Sequence, residues 1–312
     1  GIEGEAAIDR YLNGTLDDLY DPMLLKDMER AVSILCEAVD TGKKIRIVGD
    51  YDIDGVCSTY ILLQAFERLG SDVDFEIPDR IKDGYGINES IIEQAHADGV
   101  EVILTCDNGI SAFHQVELAK KYGMMVVITD HHEVPLDGEK EKIPPADAVI
   151  DPKQADCPYP FPEICGAVVA YKLVQVLYAR RGVPQMEWLD LLEFAAIATV
   201  GDVMKLQDEN RILVKYGLKK MAQTKNLGLR RLAEKNNLDL GAITAYHIGF
   251  VIGPCLNAGG RLKTAKEALA LLRAQSEEEA ERLAEELKEL NDTRKDMTEQ
   301  GTEAAKLQVE SW

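Results

Sequence analysis

Short apolar runs alternate with amphipathic stretches through the first half of the chain. Runs rich in Val, Ile and Leu predict β-strands at 45–48, 73–77, 102–105, 126–129 and 147–150. Between them, apolar residues recur at helical spacing, as over 58–69 and 112–122. The runs are continuous, which is typical of strands covered on both faces. The pattern predicts an α/β fold with a doubly wound, mainly parallel five-stranded sheet and flanking helices.

The rest of the chain is predicted to be mostly helical. Helical spacing covers 8–40 and 165–275, with glycine-rich interruptions expected at 166, 201 and 253–260. A long helix is expected from Ser276, which forms a capping box with Glu279. Its apolar stripe needs a partner, which we expect in a missing downstream domain; the stripe comprises Leu283, Leu287, Leu290 and Met297.

These patterns suggest a division of the chain. We predict one large domain at 1–275, followed by a long connecting helix at 276–312. Within the domain we expect an N-terminal helical segment, an α/β core and a helical part, at 1–44, 45–205 and 206–275.

Acidic and imidazole side chains follow three of the predicted strands. Asp50, Asp52 and Asp54 alternate directly after 45–48, Asp107 follows Cys106, and Asp130-His131-His132 follows 126–129. Because ligands bind at the carboxyl ends of parallel strands, these groups are expected to form one site. Carboxylates this close together repel one another and need protons, water or a metal.

The ligand types favour particular ions. Oxygen ligands with one imidazole suit Mn²⁺ or Mg²⁺ better than structural zinc. Several carboxylates favour two ions, about 3.5–4 Å apart, that share one carboxylate and promote hydrolysis of a phosphodiester or phosphoanhydride. Taken alone, Asp54 or Asp107 is equally typical of a helix cap, and a lone His131 is more typical of a structural histidine. Two adjacent histidines behind an acid, opposite three more acids, favour the metal site.

Charge and cysteine usage narrow the function classes. The net charge of −20 argues against non-specific binding to nucleic acid. Residues 211–235 are an exception, with eight bases and one acid, and form either a local basic face or an ordinary solvated surface. Six scattered cysteines without a CxxC pair indicate reduced thiols and a cytoplasmic protein. No signal peptide or membrane-length apolar run is visible, so no membrane association is expected.

Seven segments carry a resemblance to a known family. They are GDYDIDGVCST (49–59), PDRIKDGYGIN (78–88), CDNGIS (106–111), TDHHEVP (129–135), CGAVVAYKL (165–173), TVGDVM (199–204) and GPCLNAGGRL (253–262). Together they resemble the DHH phosphoesterase superfamily, named for the triplet that stands here at 130–132. Their order and spacing are most similar to RecJ-type single-strand-specific exonucleases, over nearly the whole chain.

The resemblance implies a role for each matching residue. Two Mn²⁺ or Mg²⁺ ions would be held, with Asp107 bridging, by Asp50, Asp52, Asp54, Asp107, His131 and Asp202. His132 would steady transition-state charge or assist proton transfer, and Asp130 would orient the histidines. Arg80, Asn257 and Arg261 would contact substrate phosphate, which we favour over a surface ion pair for Arg80 and a turn for Asn257.

Two features depart from the family pattern. Cys255 stands where RecJ-type proteins often carry Arg, which predicts a weaker phosphate contact unless Arg261 or Lys263 compensates. The family also continues beyond the long helix with a DHHA1 domain and often an OB-fold that binds single strands. We therefore expect this chain to be the DHH catalytic domain and its connecting helix.

The predicted function is metal-dependent hydrolysis of single-stranded DNA from the 5′ end to 5′-mononucleotides, in DNA repair and recombination. A single-strand-binding protein and a helicase are expected partners of the intact protein. Two alternatives stay open. One is hydrolysis of short oligonucleotides, cyclic dinucleotides, pyrophosphate or polyphosphate. The motifs at 78–88 and 253–262 and the basic stretch favour a nucleic-acid polymer over these substrates. The other is a non-catalytic binding module, which the complete ligand set disfavours.

Overall fold

The computed structural model describes residues 2–80, 84 and 86–310. The strands of the described chain are β1 (Ile45–Val48), β2 (Val73–Glu76), β3 (Val102–Cys106), β4 (Met125–Thr129), β5 (Leu136–Asp137), β6 (Lys140–Glu141) and β7 (Ala148–Ile150). The α-helices of its first half are α1 (Glu5–Asn13), α2 (Met28–Thr41), α3 (Ile53–Arg68), α4 (Glu89–Ala97) and α5 (Phe113–Lys121). Those of its second half are α6 (Gly166–Arg180), α7 (Gln185–Leu189), α8 (Leu192–Gly201), α9 (Asp208–Met221), α10 (Leu227–Lys235), α11 (Ala245–His247), α12 (Gly253–Leu262), α13 (Lys266–Leu272) and α14 (Glu277–Glu310).

The five predicted strands are confirmed and form one sheet in the order β2-β1-β3-β4-β7. Every neighbouring pair in this sheet is parallel. The order reverses between β1 and β3, because the chain adds β2 on one side of β1 and the later strands on the other. This is the topological switch point, where a crevice opens at the carboxyl ends of the strands. The hairpin β5–β6 lies outside the sheet and was not predicted.

Apolar side chains cover both faces of the sheet. On one face, Ile45, Ile47 and Leu104 pack in a core with α2, α3, α6 and α8. On the other, Val48, Ile103 and Ile128 pack with α4 and α5. The continuous apolar runs follow from this burial on both sides. Within the described residues, no helix is both long enough and apolar enough to span a membrane.

The N-terminal prediction of helix over 8–40 is wrong in its middle. Between α1 and α2 the chain makes two single 3₁₀ turns, at Leu16–Asp18 and Pro22–Leu24. Pro22 stands at the start of the second turn, and its side-chain ring and missing N–H are tolerated there but not inside a helix. Asp21 caps this turn by accepting the N–H of Met23.

The glycine-rich interruption predicted at 253–260 is also wrong, because this segment is helix α12. Its glycines allow close packing. A Cβ on Gly260 would lie 2.3 Å from the carbonyl oxygen of Tyr51, and one on Gly259 would lie 2.7 Å from that of Thr264. Gly260 therefore lets α12 lie directly against the loop that carries Asp50 and Asp52.

The long helix is present as α14, but its apolar stripe has a different partner from the one expected. Leu283 and Leu287 are buried in the main core, and Leu290 packs against it, where α14 contacts α10, α12 and α13. This chain therefore covers the first part of the stripe itself. Met297, further along, is 58% exposed.

Candidate active site

The loop after β1 and the start of α3 position three carboxylates. Asp50 is buried, and its Oδ1 accepts the N–H of Gly86 at 3.3 Å. Asp52 is the N-cap of α3, since its Oδ1 accepts the N–H groups of Asp54 at 2.9 Å and Gly55 at 3.1 Å. The helix therefore fixes the orientation of a carboxylate whose other oxygen is not needed for the cap.

Asp54 caps a second helix. Its two oxygens accept the N–H groups of Gly166 and Ala167, each at 2.7 Å, at the start of α6. The cap expected as an alternative for Asp54 is thus real, but the capped helix begins 112 residues later. Each carboxylate oxygen has a second lone pair, so capping and metal ligation are compatible. Gly166 is needed because a Cβ there would lie 2.7 Å from that of Asp107.

Asp107 and His131 meet at the centre of this crevice. Nε2 of His131 lies 3.0 Å from Oδ1 of Asp107 and 3.4 Å from Oδ2 of Asp54. Asp202, at the end of α8, approaches the same nitrogen to 3.9 Å. Asp107 has a positive φ of 61°, a conformation that Asp tolerates better than most residues. The strand end therefore turns sharply and directs this carboxylate at His131.

Asp130 holds the turn that carries both histidines. Its Oδ1 accepts the backbone N–H of His131 at 2.7 Å and of His132 at 3.2 Å. The same oxygen lies 2.7 Å from Nδ1 of His132, while Oδ2 accepts the N–H of Ile110 at 2.9 Å. Asp130 therefore contacts the ring of His132 directly, but reaches His131 only through its backbone.

Three overlapping groups of side chains could each hold a metal ion within the described residues: Asp50, Asp52 and Asp107; Asp54, His131 and Asp202; and Asp107, His131 and His132. In each group the ligand atoms lie within 4.8 Å of one another. Asp107 and His131 belong to two groups each. The crevice thus brings together all six residues that the sequence suggested as ligands.

The electrostatics of the cluster call for a cation. Burial and the charge of Asp52 raise the pKa of Asp50 to about 7. Burial and the charges of Asp54 and Asp52 raise the pKa of Asp202 to about 7 and that of Asp107 well above its usual value. Burial and mutual repulsion outweigh the nearby charges of His132 and Lys153, and a divalent ion would supply the missing positive charge. The oxygen-rich donor set fits Mn²⁺ or Mg²⁺.

The two histidines differ in protonation. Burial lowers the pKa of His131, which favours the neutral ring that a metal ligand requires. Burial would also lower the pKa of His132, but its hydrogen bond to Asp130 outweighs burial and raises the pKa. Burial would raise the pKa of Asp130, and the same hydrogen bond lowers it overall. The half-exposed His132 is therefore the better proton donor of the two.

The three residues suggested as phosphate contacts lie together. Arg80, Asn257 and Arg261 line a cleft of about 280 Å³ that also contains Asp52. The guanidinium of Arg80 lies 5.3 Å from the centre of the Tyr51 ring, a cation–π distance. Of the motif at 78–88, residues 81–83 and 85 lie outside the described part of the chain.

Cys255 does not belong to this cleft, so its interpretation as a phosphate-contact position is wrong. Its side chain is fully buried, and Sγ lies 3.8 Å from Nδ2 of Asn236 on α10. Asn257 and Arg261 are four residues apart and share one face of α12, whereas Cys255 lies on another face. Lys263 pairs instead with Glu286 and, at 3.3 Å, with Glu267.

Part of the basic stretch 211–235 is paired with acidic residues of α14. Arg231 pairs with Glu277 at 2.7 Å, and Lys235 pairs with Glu281 at 2.5 Å and Glu285 at 2.6 Å. The acidic residues all lie on α14. The helix α14 therefore neutralises these two bases, and the ordinary-surface interpretation is the better one for them.

Asn108 is a supporting residue that the sequence reasoning did not single out. Its Nδ2 donates to the carbonyl oxygens of Val48 at 3.1 Å and Cys106 at 2.9 Å, which joins the ends of β1 and β3. Its Oδ1 accepts the N–H of Ile87 at 3.3 Å. A polar residue directly after the strand-end Asp107 was the available signal.

Comparisons with known proteins agree with this geometry. The family model described as the DHH family, N-terminal domain, matches residues 44–199. The single-stranded-DNA-specific exonuclease RecJ of Bacillus subtilis (strain 168) is 40% identical over 293 residues, which are 94% of this chain and 36% of that protein. The chain spans about one third to one half of the length of the curated relatives it matches.

Solved structures give the same result. A crystal structure of exonuclease RecJ bound to manganese superposes with a TM-score of 0.79 at 35% identity, and covers 88% of this chain and 68% of that one. RecJ from Thermus thermophilus in complex with Mg²⁺ superposes with a TM-score of 0.64 at 32% identity, and covers 88% of this chain and 36% of that one.

Proposed function

The chain belongs to the DHH family, and from this premise we propose that it is a metal-dependent phosphodiesterase that hydrolyses single-stranded DNA. The observation that carries the proposal is the meeting of five carboxylates and His131 in one crevice at the sheet switch point. The relatives named as single-stranded-DNA-specific exonucleases support the choice of substrate.

The ligand set accounts for two divalent ions, Mn²⁺ or Mg²⁺. Asp107 is the proposed bridging ligand because it belongs to two of the three groups. The ions would be held by Asp50, Asp52, Asp54, Asp107, His131 and Asp202. When bound, such ions supply Lewis-acid charge for a phosphoryl oxygen and for the attacking water.

The chain's own residues supply orientation and proton transfer. Asp130 accepts the Nδ1–H of His132 and so fixes the orientation and tautomer of the ring. The other ring nitrogen, Nε2, is then the atom that would contact the substrate. Because its pKa is raised, His132 is able to donate a hydrogen bond to a phosphate oxygen or a proton to the leaving oxygen. We propose His132, Asp130 and Asp107 as the catalytic set.

Arg80, Asn257 and Arg261 are the proposed phosphate contacts. They line the cleft that opens beside Asp52, and two of them are permanently charged. A strand that enters this cleft would place the phosphate to be cleaved beside the ions of the carboxylate cluster and the adjoining phosphates beside these three side chains.

The finer features of the function come from the family resemblance. We propose cleavage from the 5′ end, release of 5′-mononucleotides, a role in DNA repair and recombination, and a cytoplasmic location. A single-strand-binding protein and a helicase are the proposed partners of the intact protein.

Hydrolysis of short oligonucleotides or cyclic dinucleotides is a second candidate. It is favoured by the pairing of Arg231 and Lys235 with α14, because those bases had been an argument for a polymer substrate. Arg261 favours a polymer substrate, because this exposed cation lines the cleft and is accessible to the phosphates of a bound strand.

The test is cleavage of a 5′-labelled single strand with and without Mn²⁺, beside the matching duplex and a cyclic dinucleotide. Metal-dependent release of labelled mononucleotide from the single strand alone is expected. Faster cleavage of the cyclic dinucleotide would favour the second candidate. Failure to bind Mn²⁺ in calorimetry would favour a non-catalytic binding module.

A further inference from the structure

Two exposed aromatic rings stand on the surface beside the active-site cleft. Tyr246 is 63% exposed and Phe250 is 68% exposed, and their ring centres lie 4.8 Å apart with an angle of 26° between the planes. We call this pair the aromatic shelf. Among the described residues, these two are the aromatic side chains found with the large exposed hydrophobic residues. Two stacked rings with their outer faces in solvent need a reason, because burying them would be favourable.

The backbone beneath the shelf is firmly held. Phe250 lies in a π-helical turn, Ile248–Ile252, whose end residues Ile248 and Ile252 are fully buried. Tyr246 lies in the short helix α11 directly before it. The buried isoleucines anchor the turn in the core while the two rings project outward. A π-helical turn inside a helical region is rare and is frequent at functional sites.

Two adjoining clefts, together called the groove, lead from Gly249, the residue before Phe250, to Asp52 of the carboxylate cluster. Gly249, next to Phe250, lines a cleft of about 160 Å³ with Asn257, Arg261 and Arg294. The neighbouring cleft that contains Asp52 and Arg80 shares Gly201, Asn257 and Arg261 with it. A Cβ on Gly249 would meet only Val200, at 3.6 Å, so the floor of the groove is open at this point.

The groove carries positive charge that this chain does not neutralise. Arg294 donates to the neutral Oδ1 of Asn291 at 3.2 and 3.1 Å. Within the described residues neither Arg294 nor Arg261 has a carboxylate within ion-pair distance, in contrast to Arg231 and Lys235. In a chain of net charge −20, two such arginines in one groove favour a polyanion there.

We propose that this groove carries the single strand and that the aromatic shelf stacks a nucleobase of it. Tyr246 and Phe250 would hold the base, while Arg261 and Arg294 contact the adjoining phosphates. Positive grooves with exposed aromatic rings are the usual means of binding single strands without sequence preference. The inference rests on the proposed function, and it adds where the strand lies outside the carboxylate cluster.

The test compares an oligothymidylate with an abasic strand of the same length and charge, by fluorescence anisotropy in EDTA so that no cleavage intervenes. The wild-type chain is expected to prefer the strand that has bases. The double variant Tyr246→Ala/Phe250→Ala is expected to lose this preference, with binding to oligothymidylate weakened about tenfold or more. Tyr246→Phe/Phe250→Trp keeps both rings and should restore it.

A matched control is Met186→Ala, which removes an equally exposed apolar side chain from α7 and should bind both strands as the wild type does. An alanine double variant that keeps the wild-type preference would overturn the inference. So would a change in sedimentation on removing the rings, since this would show that a second copy covers them. If the wild type neither binds nor cleaves the strand with Mn²⁺, the proposed function itself fails.

Discussion

The strand-end crevice and the α10–α14 surface use charge in opposite ways. In the crevice, Asp50, Asp107 and Asp202 are brought together with other carboxylates and two histidines in groups that could hold a metal. At the surface, Arg231 and Lys235 meet Glu277 and Glu281 in pairs. The crevice has raised carboxyl pKa values because like charges share a dry site.

The difference separates charge kept for a ligand from charge that serves the fold. Ion pairs at a surface contribute little to the free energy of unfolding. Their charges are already neutralised and are not available to bind a ligand. Unpaired charges held by buried backbone are costly, and the fold retains them only where something else supplies the counter-charge. Arg261 and Arg294 also have no carboxylate within ion-pair distance among the described residues, but they reach solvent, so their charge stays available at little cost.

The largest expected effect comes from Asp107→Ala. Because Asp107 is shared by two of the possible metal groups, its loss should abolish high-affinity Mn²⁺ binding in calorimetry and reduce cleavage roughly a thousandfold. The circular dichroism spectrum should stay that of a folded chain. Asp137→Ala, in the exposed hairpin β5–β6, is the control. Near-wild-type cleavage by Asp107→Ala would contradict the bridging assignment.

Cys255→Arg tests whether position 255 is buried away from the phosphates. At this position the structure offers a new guanidinium neither a phosphate nor a carboxylate partner among the described residues. The new guanidinium would be buried against Asn236 between α12 and α10, so we expect the free energy of unfolding in urea to fall by about 3 kcal/mol. Cys255→Ser is the smaller control. Tighter binding of single strands by a stable Cys255→Arg variant would show instead that position 255 reaches the phosphates.

The metal-free chain should become less stable as the pH rises from about 4 to about 7. The folded-state pKa of Asp50 is raised from 3.8 to about 7, so the folded chain holds a proton that the unfolded chain releases. This stability is present at low pH and is lost as Asp50 ionises. Thermal unfolding in EDTA measures the slope.

Asp50→Asn should reduce the slope of this pH dependence by about one proton and stabilise the metal-free chain at pH 8 by roughly 2–4 kcal/mol, while Asp202 keeps part of the slope. Saturating Mn²⁺ should reverse the loss in the wild type, because the ion takes over the role of the proton. If the free energy of unfolding of the wild type stayed constant from pH 4 to 8 in EDTA, the raised pKa values of the crevice carboxyl groups would be contradicted.

The smallest effects on stability are expected at charged groups outside the crevice. Arg231→Ala should cost less than about 1 kcal/mol of unfolding free energy and leave the affinity for single strands unchanged. Arg261→Ala should also unfold like the wild type, but should weaken binding of single strands and reduce its salt dependence by about one phosphate. Equal effects on binding at the two positions would remove the distinction between paired and available charge.

Much of the fold could be predicted from the sequence because its signals are local. Four of the five strands are short, largely buried apolar runs, and β2 is a half-buried strand in which Val73 and Phe75 alternate with acids. The sequence predicts all five, and the helices between them require a parallel sheet. The acidic residues at the strand ends then had to share one edge. Five of the six suggested ligands meet for that reason. Asp202 lies instead at the end of α8, and only the family resemblance suggests it as a ligand.

The errors fall where distant segments decide the local structure. Glycines in α12 predicted a break, but Gly260 is there because the loop at Tyr51 lies against it. The stripe on α14 predicted an outside partner, but the chain's own core covers Leu287. Neither contact has a signal in the neighbouring residues.

The sequence by itself determined the sheet, the place of the carboxylates along it and the kind of ion they suit, because these follow from periodicity and from residue chemistry. Only the tertiary structure decided which charges remain available. It brought the carboxylate of Asp54 to the start of α6, paired Arg231 with α14 and buried Cys255 away from the cleft. Among the described residues it also gave Arg261, beside the cleft, no carboxylate partner. Neutralisation depends on which distant groups come within a few ångströms, and that is a property of packing rather than of any local segment.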